Sequence, residues 1–221
     1  MHDSFESFAF QRSPGCFIFL IFRLGDNIAE GDKFSLLLEY VRISLYFPLP
    51  RNNKKREKPG MIIETISEVS PIEIKESISL KRNFFQTHKT KGLEFRIGQL
   101  KKLRDAINSH EEEITLALYK DLHKSREEAY LTEISIVTQE IDLHIKKLQS
   151  WSKPKKVPVP LHLKPSRANI FYEPLGVALI IAPWNYPFQL LFNPLVGAIS
   201  SGCCVVLKPS EFTPHIAGVM E

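Results

Sequence analysis

The stretch 173–211, EPLGVALIIAPWNYPFQLLFNPLVGAISSGCCVVLKPSE, decides the fold that this sequence predicts. Residues 177–181 form a short, unbroken apolar run bounded by turn residues, which is typical of a strand buried on both faces. The PWNYP segment that follows is not helical, because its prolines fix φ and push the preceding residues into extended conformations. Residues 188–201 then show helical apolar spacing closed by Gly202, a favourable C-terminal cap, before a second apolar run at 203–207. The order strand, loop, helix, strand predicts one βαβ unit with a right-handed crossover.

Polar side chains follow both predicted strands. Asn185 comes after the first strand, and Lys208, Ser210 and Glu211 come after the second. Ligands of open α/β sheets gather at the carboxyl ends of the strands, so an amide, an ammonium and a carboxylate are expected at one rim. These residues alone fit ordinary solvated loops better than a site. The glycine fingerprint G-x-G-x-x-G is absent, which counts against a standard Rossmann dehydrogenase.

Three segments carry a family resemblance. EPLGVALIIAPWNYPF and GCCVVLKPSE resemble the amino-terminal half of an aldehyde dehydrogenase. Upstream, ALYKDLHKSREEAYLTEI is most similar to the class 3 branch, which handles fatty and aromatic aldehydes. The resemblance runs from about Met61 to Glu221, and the combination of PWNYP with KPSE at this spacing is specific to the family.

The resemblance implies oxidation of an aldehyde to a carboxylic acid through a cysteine thiohemiacetal and a thioester, with NAD or NADP as cofactor. Asn185 matches the family's donor to the oxyanion. Lys208 and Glu211 match positions that hold the adenosine ribose, and a carboxylate there favours NAD, although the lysine could soften its repulsion of a 2′-phosphate. The implied cofactor-binding positions are Ala182, Pro183, Trp184, Lys208, Ser210 and Glu211.

The reactive thiol is the gap in this reading. Cys203 and Cys204 lie in an apolar strand pattern, where a thiol is buried and inert. Cys16 lies outside the matching region, and no segment resembles the family's reactive cysteine or catalytic glutamate. We therefore nominate no nucleophile and expect an amino-terminal fragment that is inactive alone. The alternative is a truncated, non-catalytic relative that acts as a binding or interaction module.

Composition narrows the functional class. The chain has 221 residues, of which 43% are hydrophobic and 24% charged, as in a soluble globular protein. A formal net charge of +4 is too small to indicate nucleic-acid binding, and three cysteines form neither a disulfide framework nor a metal site. The cysteine usage predicts a reducing, cytoplasmic location. No apolar run reaches the roughly 18 residues of a membrane span, and the class 3 resemblance implies a homodimer.

Two domains are expected. We expect residues 1–60 to be a poorly ordered extension and Met61 to be the true start of the protein. A membrane anchor at 16–49 is a weaker alternative. Residues 61–221 predict the amino-terminal part of a cofactor-binding domain. A helix that starts at 213 is cut short by the end of the sequence, which suggests truncation.

The predicted fold class is α/β, with helices over 71–150, an extended connector at 153–168 and the first, incomplete βαβ part of a Rossmann-like parallel sheet at 173–211. Ser109 and Ser125 are each predicted to cap a helix, because a glutamate follows three residues later in each case and completes a capping box. The acidic residues of the first turn also favour the helix dipole. The helices are expected to cover the sheet and to contribute no chemistry.

Overall fold

The structure, a computed structural model, describes residues 71–221 and the strands β1 (Ser7–Phe8) and β2 (Ile21–Arg23). The chain divides into two compact units, one formed by 1–24 with 75–221 and the other by 25–74. Only 71–74, the first turn of a helix, is described from the second unit.

A layer of helices forms the first half of the described chain, as the sequence predicts. Its helices are α1 (Pro71–Gln86), α2 (Leu93–Ser109), α3 (Glu111–Leu122), α4 (Arg126–Ala129) and α5 (Ser135–Trp151). A 3₁₀ turn, Lys89–Lys91, separates α1 from α2, and a π-helical turn, Tyr130–Ile134, joins α4 to α5.

One of the two predicted serine caps is present. The hydroxyl of Ser125 accepts a hydrogen bond of 3.1 Å from the backbone N–H of Glu128, at the start of α4. The prediction for Ser109 is wrong. Ser109 is the last residue of α2, and its hydroxyl donates to the carbonyl of Ala106, while His110 precedes α3 without capping it through its side chain. Because a single residue separates the two helices, Ser109 stays helical and cannot adopt the extended conformation of an N-cap.

The predicted βαβ unit is confirmed. It consists of β5 (Val177–Ile181), α6 (Pro187–Ser201) and β6 (Cys204–Lys208), and β5 pairs with β6 in parallel. Gly202 ends α6 with a φ of 88°, the left-handed conformation that glycine adopts without strain. A short helix, α7 (Pro214–Met220), follows β6.

The extended connector contains more structure than predicted. β3 (Lys155–Val157) lies inside the connector and pairs antiparallel with β4 (Ala168–Ile170), which begins at the last residue of the connector. The two strands form a separate sheet, and a 3₁₀ turn at Leu161–Leu163 lies between them. The larger sheet is mixed rather than parallel, with the order β1-β2-β5-β6, because β2 pairs antiparallel with β5. Strands β1 and β2 come from the predicted extension 1–60 and belong to this sheet. The remainder of the extension lies outside the described residues.

The core lies between the helical layer and the larger sheet, with α6 at its centre. Helix α6 contacts α2 and α5 on one side and β5 and β6 on the other. Its residues Phe188 and Val196 are fully buried, as are Leu100 of α2 and Ile141 of α5. This burial explains why α6 is apolar on most of its surface rather than along a single stripe. In the part of the chain that the structure describes, no helix is both long and apolar enough to cross a membrane.

Candidate active site

Both predicted strand ends leave the sheet at the same edge. In the parallel ladder, Ile181 of β5 pairs with Lys208 of β6. One step further, the backbone N–H of Ala182 donates to the carbonyl of Lys208 over 3.1 Å. The loop that carries Asn185 and the loop that carries Glu211 therefore start side by side, at the carboxyl ends where sheets of this type bind ligands.

The first loop runs from a buried residue past an exposed one to Asn185. Ala182 is buried, Asn185 is half-buried, and Trp184 is 54% exposed. Within 71–221, no hydrogen bond of the Asn185 carboxamide is observed, so no described residue competes for its N–H donors. A neutral, directional donor on a rigid loop suits the stabilisation of a developing negative charge on oxygen.

The second loop carries an ion pair. The Nζ atom of Lys208 lies 2.6 Å from Oε2 of Glu211, and both side chains are substantially exposed, at 44% and 60%. Ser210 is buried, and its hydroxyl accepts from the backbone N–H of Phe212 over 3.3 Å. Ser210 therefore shapes the turn, while Glu211 and Lys208 present charges to solvent.

A buried carboxylate holds the start of the helix behind the first loop. Oε2 of Glu133 accepts hydrogen bonds of 2.9 Å and 3.2 Å from the backbone N–H groups of Phe188 and Gln189, in the first turn of α6. Glu133 has no exposed surface and projects from the π turn between α4 and α5. The carboxylate satisfies donors that a helix start leaves unpaired, and it complements the positive end of the helix dipole.

A lysine completes this arrangement. Nζ of Lys124 donates to Oε1 of Glu133 over 2.5 Å and to the backbone carbonyl of Asn185 over 3.2 Å. The same ammonium lies 3.9 Å from the ring centre of Tyr186, a cation–π contact. Lys124 is 6% exposed, so this is a buried ion pair against the backbone of the Asn185 loop.

The helices that were expected to cover the sheet thus also supply polar contacts to the Asn185 loop through this pair. The sequence did contain a signal for it. Glu133 lies four residues before Val137 and eight before Ile141, so the helical period places it on the buried face, where a carboxylate requires a partner. No comparable signal identifies Lys124 as that partner.

The helical layer also fixes the second loop. Asp121, at the end of α3, accepts from the backbone N–H of His215 over 3.3 Å and of Ile216 over 2.8 Å. Its Oδ1 atom also lies 2.7 Å from Nδ1 of His215. The Asp121 side chain is 2% exposed, so a second buried carboxylate caps the helix that follows the second strand end.

The two cysteines of 71–221 lie at the opposite end of the sheet. Cys204 pairs with Val177 at the amino ends of the strands, about 13 Å from Lys208 at about 3.3 Å per residue. Burial raises the pKa of the Cys204 thiol, the neighbouring Cys203 raises it further, and Lys81 opposes the shift. A thiol in this position cannot reach a carbonyl group held at Asn185. Residues 71–221 also contain no cluster of three side chains suited to hold a metal ion.

Comparisons with known proteins agree with the fold and show the family. The model of the aldehyde dehydrogenase family matches residues 53–220, starting ahead of Met61, where the resemblance was expected to begin. The 4,4'-diaponeurosporen-aldehyde dehydrogenase of Staphylococcus aureus is 51% identical over 138 residues, which cover 62% of this chain and 30% of that protein. Aldehyde dehydrogenase family 3 comG of Dictyostelium discoideum is 42% identical over 140 residues, which cover 63% of this chain and 30% of that protein.

A solved aldehyde dehydrogenase structure also resembles this chain. The substrate-bound state of Staphylococcus aureus AldH superposes with a TM-score of 0.65 at 49% sequence identity, covering 69% of this chain and 33% of that chain. The chain thus spans about a third of the length of the relatives that it matches.

Proposed function

The chain belongs to the aldehyde dehydrogenase family, and from this premise we propose that the protein oxidises an aldehyde to a carboxylic acid with NAD or NADP. One observation carries the proposal: the parallel pairing of β5 with β6, which brings the Asn185 loop and the Lys208–Glu211 pair to one edge of the sheet. An amide donor and a charged pair at adjacent strand ends suit a carbonyl substrate beside a nucleotide.

Asn185 is the proposed donor to the oxyanion. When a nucleophile attacks an aldehyde carbonyl, the carbonyl oxygen acquires a negative charge. A positioned N–H group stabilises that charge more than it stabilises the neutral aldehyde, so it lowers the barrier to reaction. The half-buried carboxamide, without a hydrogen-bond partner in 71–221, fits this role.

The proposed cofactor site is the second loop together with the end of β5. NAD(P), when bound, accepts the hydride. Glu211 would accept hydrogen bonds from ribose hydroxyls, and the backbone around Ala182, Pro183 and Trp184 would line the nicotinamide side. Ser210, whose hydroxyl serves its own turn, would contribute by shaping the loop.

The ion pair in this loop bears on cofactor choice. The negative charge of the Glu211 carboxylate would repel the 2′-phosphate of NADP. Because Lys208 lies 2.6 Å from that carboxylate, it offsets part of the negative charge. We therefore propose that the protein accepts both NAD and NADP.

The nucleophile has to come from outside the described cysteines. Cys203 and Cys204 lie at the opposite end of the sheet, and Cys16 lies outside the region that resembles the family, so we propose that the 221-residue chain by itself is inactive. The same observation favours the alternative function, a binding module that holds a nucleotide without turnover. The class 3 resemblance supports a homodimer, and the exposed side chains of Leu161, Phe171 and Tyr172 offer apolar surface for such contacts. The cysteine usage supports a cytoplasmic location.

The test is turnover by the native protein, purified as its source produces it. Formation of reduced nicotinamide is followed with aliphatic and aromatic aldehydes, in parallel with NAD and with NADP. We expect Asn185→Ala to lower kcat by about 10²- to 10³-fold. Asn169→Ala, at an exposed position of β4, is the matched control and should retain full activity.

Two results separate the alternatives. Equal rates for Asn185→Ala and Asn169→Ala would remove the proposed role of Asn185. If the native protein binds NAD(P)H but produces no reduced cofactor from any aldehyde, the binding module replaces the enzyme.

A further inference from the structure

A buried ion pair from the helical layer touches the backbone of the Asn185 loop. Lys124 and Glu133 are 6% and 0% exposed, and their charged atoms lie 2.5 Å apart. Burying two charges costs free energy that their attraction alone often fails to repay, so a buried pair is weak evidence for stability. The position of this pair, directly against the candidate oxyanion donor, indicates a different role.

The pair contacts both sides of Tyr186. On one side, the Lys124 ammonium donates to the carbonyl oxygen of Asn185 itself over 3.2 Å. On the other side, the Glu133 carboxylate accepts from the N–H groups of Phe188 and Gln189. The loop is thus fixed immediately at Asn185 and again at the start of α6 by two side chains that also bind each other.

The geometry of the helical layer is irregular where it supplies the carboxylate. Glu133 lies within the π turn Tyr130–Ile134, while regular α-helix precedes and follows it. Isolated π turns inside α-helices occur frequently at functional sites. The irregularity coincides with the residue that meets the loop.

We propose that Lys124 and Glu133 are positioning residues, which hold the Asn185 carboxamide where it can stabilise the oxyanion. This inference rests on the proposed aldehyde oxidation. Neither side chain touches the reacting atoms: Lys124 acts through the Asn185 carbonyl, and Glu133 acts through the first turn of α6. A displacement of about 1 Å in a group that positions the reactants can lower a rate by about 100-fold. Loss of the Lys124–Glu133 contacts to this loop should therefore have a measurable effect on turnover.

The experiment measures steady-state kinetics of the native protein and of four variants. Lys124→Met removes the charge and the hydrogen bond to Asn185, and Glu133→Gln keeps the shape and an acceptor but removes the charge. We expect each to lower kcat by about 10- to 100-fold with KM changed less than about threefold. Lys124→Arg, which keeps the charge and the donor, should recover part of the loss. Arg104→Met, which breaks the exposed Arg104–Asp142 pair between α2 and α5, is the matched control and should keep wild-type kinetics.

The decisive measurement is non-additivity with Asn185. If the pair acts through the carboxamide, Lys124→Met should cost less than about twofold in an Asn185→Ala background, because the group that it positions is already absent. A merely structural role would lower activity by the same factor in both backgrounds. That second result would overturn the inference, as would a kcat of Lys124→Met or Glu133→Gln within twofold of wild type.

Amide hydrogen exchange separates this inference from the proposed function. In Lys124→Met, exchange across 182–189 should become at least about tenfold faster than in Arg104→Met, because the loop loses its anchor. If the native protein oxidises no aldehyde, the proposed function fails, and amide exchange alone decides whether the ion pair fixes the loop. Exchange in Lys124→Met that is as slow as in Arg104→Met would then show that the pair does not fix the loop. If the native protein is active and only the kinetic effects are missing, the proposed function stands and the positioning role fails.

Discussion

Replacing Glu133 with alanine should cost more stability than any single surface substitution in this chain. The change leaves the Lys124 ammonium buried without its counter-charge, and it leaves the N–H groups of Phe188 and Gln189 without their acceptor. Breaking a buried pair from one side costs about 3–5 kcal/mol. That is a large share of the roughly 5–15 kcal/mol that stabilises a typical domain.

The companion variant Lys124→Met should cost less, for a reason visible in the structure. It leaves the Glu133 carboxylate with two backbone donors that still stabilise its charge, so the loss is limited to the hydrogen bonds of the ammonium, its attraction to Glu133 and its contact with the Tyr186 ring, at about 1.5–3 kcal/mol. Glu133→Ala should therefore destabilise the protein more than Lys124→Met does, because it leaves the remaining charge with fewer partners.

Thermal and urea unfolding of the native protein test this order. At about 2–4 °C per kcal/mol for a protein of this size, Glu133→Ala should lower Tm by about 6–20 °C. Arg104→Met should unfold close to wild type, because the Arg104–Asp142 pair is exposed. A Tm of Glu133→Ala within 1 °C of wild type, or above that of Lys124→Met, would show that removing the carboxylate does not leave a costly unpaired charge at Lys124.

Four other predictions concern separate parts of the fold. Asp121→Ala should destabilise the protein by about 1–2 kcal/mol in urea unfolding, because it removes the buried cap of α7, and Asp121→Asn should retain part of that cap. Gly202→Ala should cost about 1–3 kcal/mol, since φ is 88° and a Cβ would lie 2.8 Å from a backbone oxygen. Gly98→Ala, where a Cβ meets nothing within 4 Å in α2, should instead stabilise by about 0.5–1 kcal/mol, and a loss there would contradict the helix assignment. Because burial raises its pKa, the Cys204 thiol should alkylate more slowly at mildly alkaline pH in the folded protein than after denaturation. The unfolded thiol also gives up its proton first, so stability should fall as pH rises above the ordinary thiol pKa, and equal labelling rates in the two states would argue against the burial.

Local sequence patterns predicted the elements that carry the site. The apolar run of β5 matches its observed bounds, Val177–Ile181, because a short run between turn residues suits a fully buried strand. The end of α6 followed from one glycine. The prediction for Ser109 failed because it depended on the neighbouring helix, which ends at that serine and leaves no extended residue for a cap.

The roles assigned to Asn185, Lys208 and Glu211 came from a family resemblance and remain predictions, although the parallel ladder does bring their loops together. The contacts that the helical layer makes with the Asn185 loop could not be predicted from the sequence. Glu133 could be recognised as a charge on a buried face, but its partners lie nine residues away at Lys124 and 55 residues away at Phe188.

By itself, the sequence determined most of the helices, the βαβ unit and the edge at which its polar residues emerge, because these depend on periodicity and on turn chemistry within short windows. Only the tertiary structure decided that Asp121 and Glu133 cap the two helices behind the strand ends, and that β2 joins β5 antiparallel. Those contacts join segments that are far apart in the chain. Their partners are fixed by how the helical layer packs on the sheet, and no local pattern in the sequence specifies that packing.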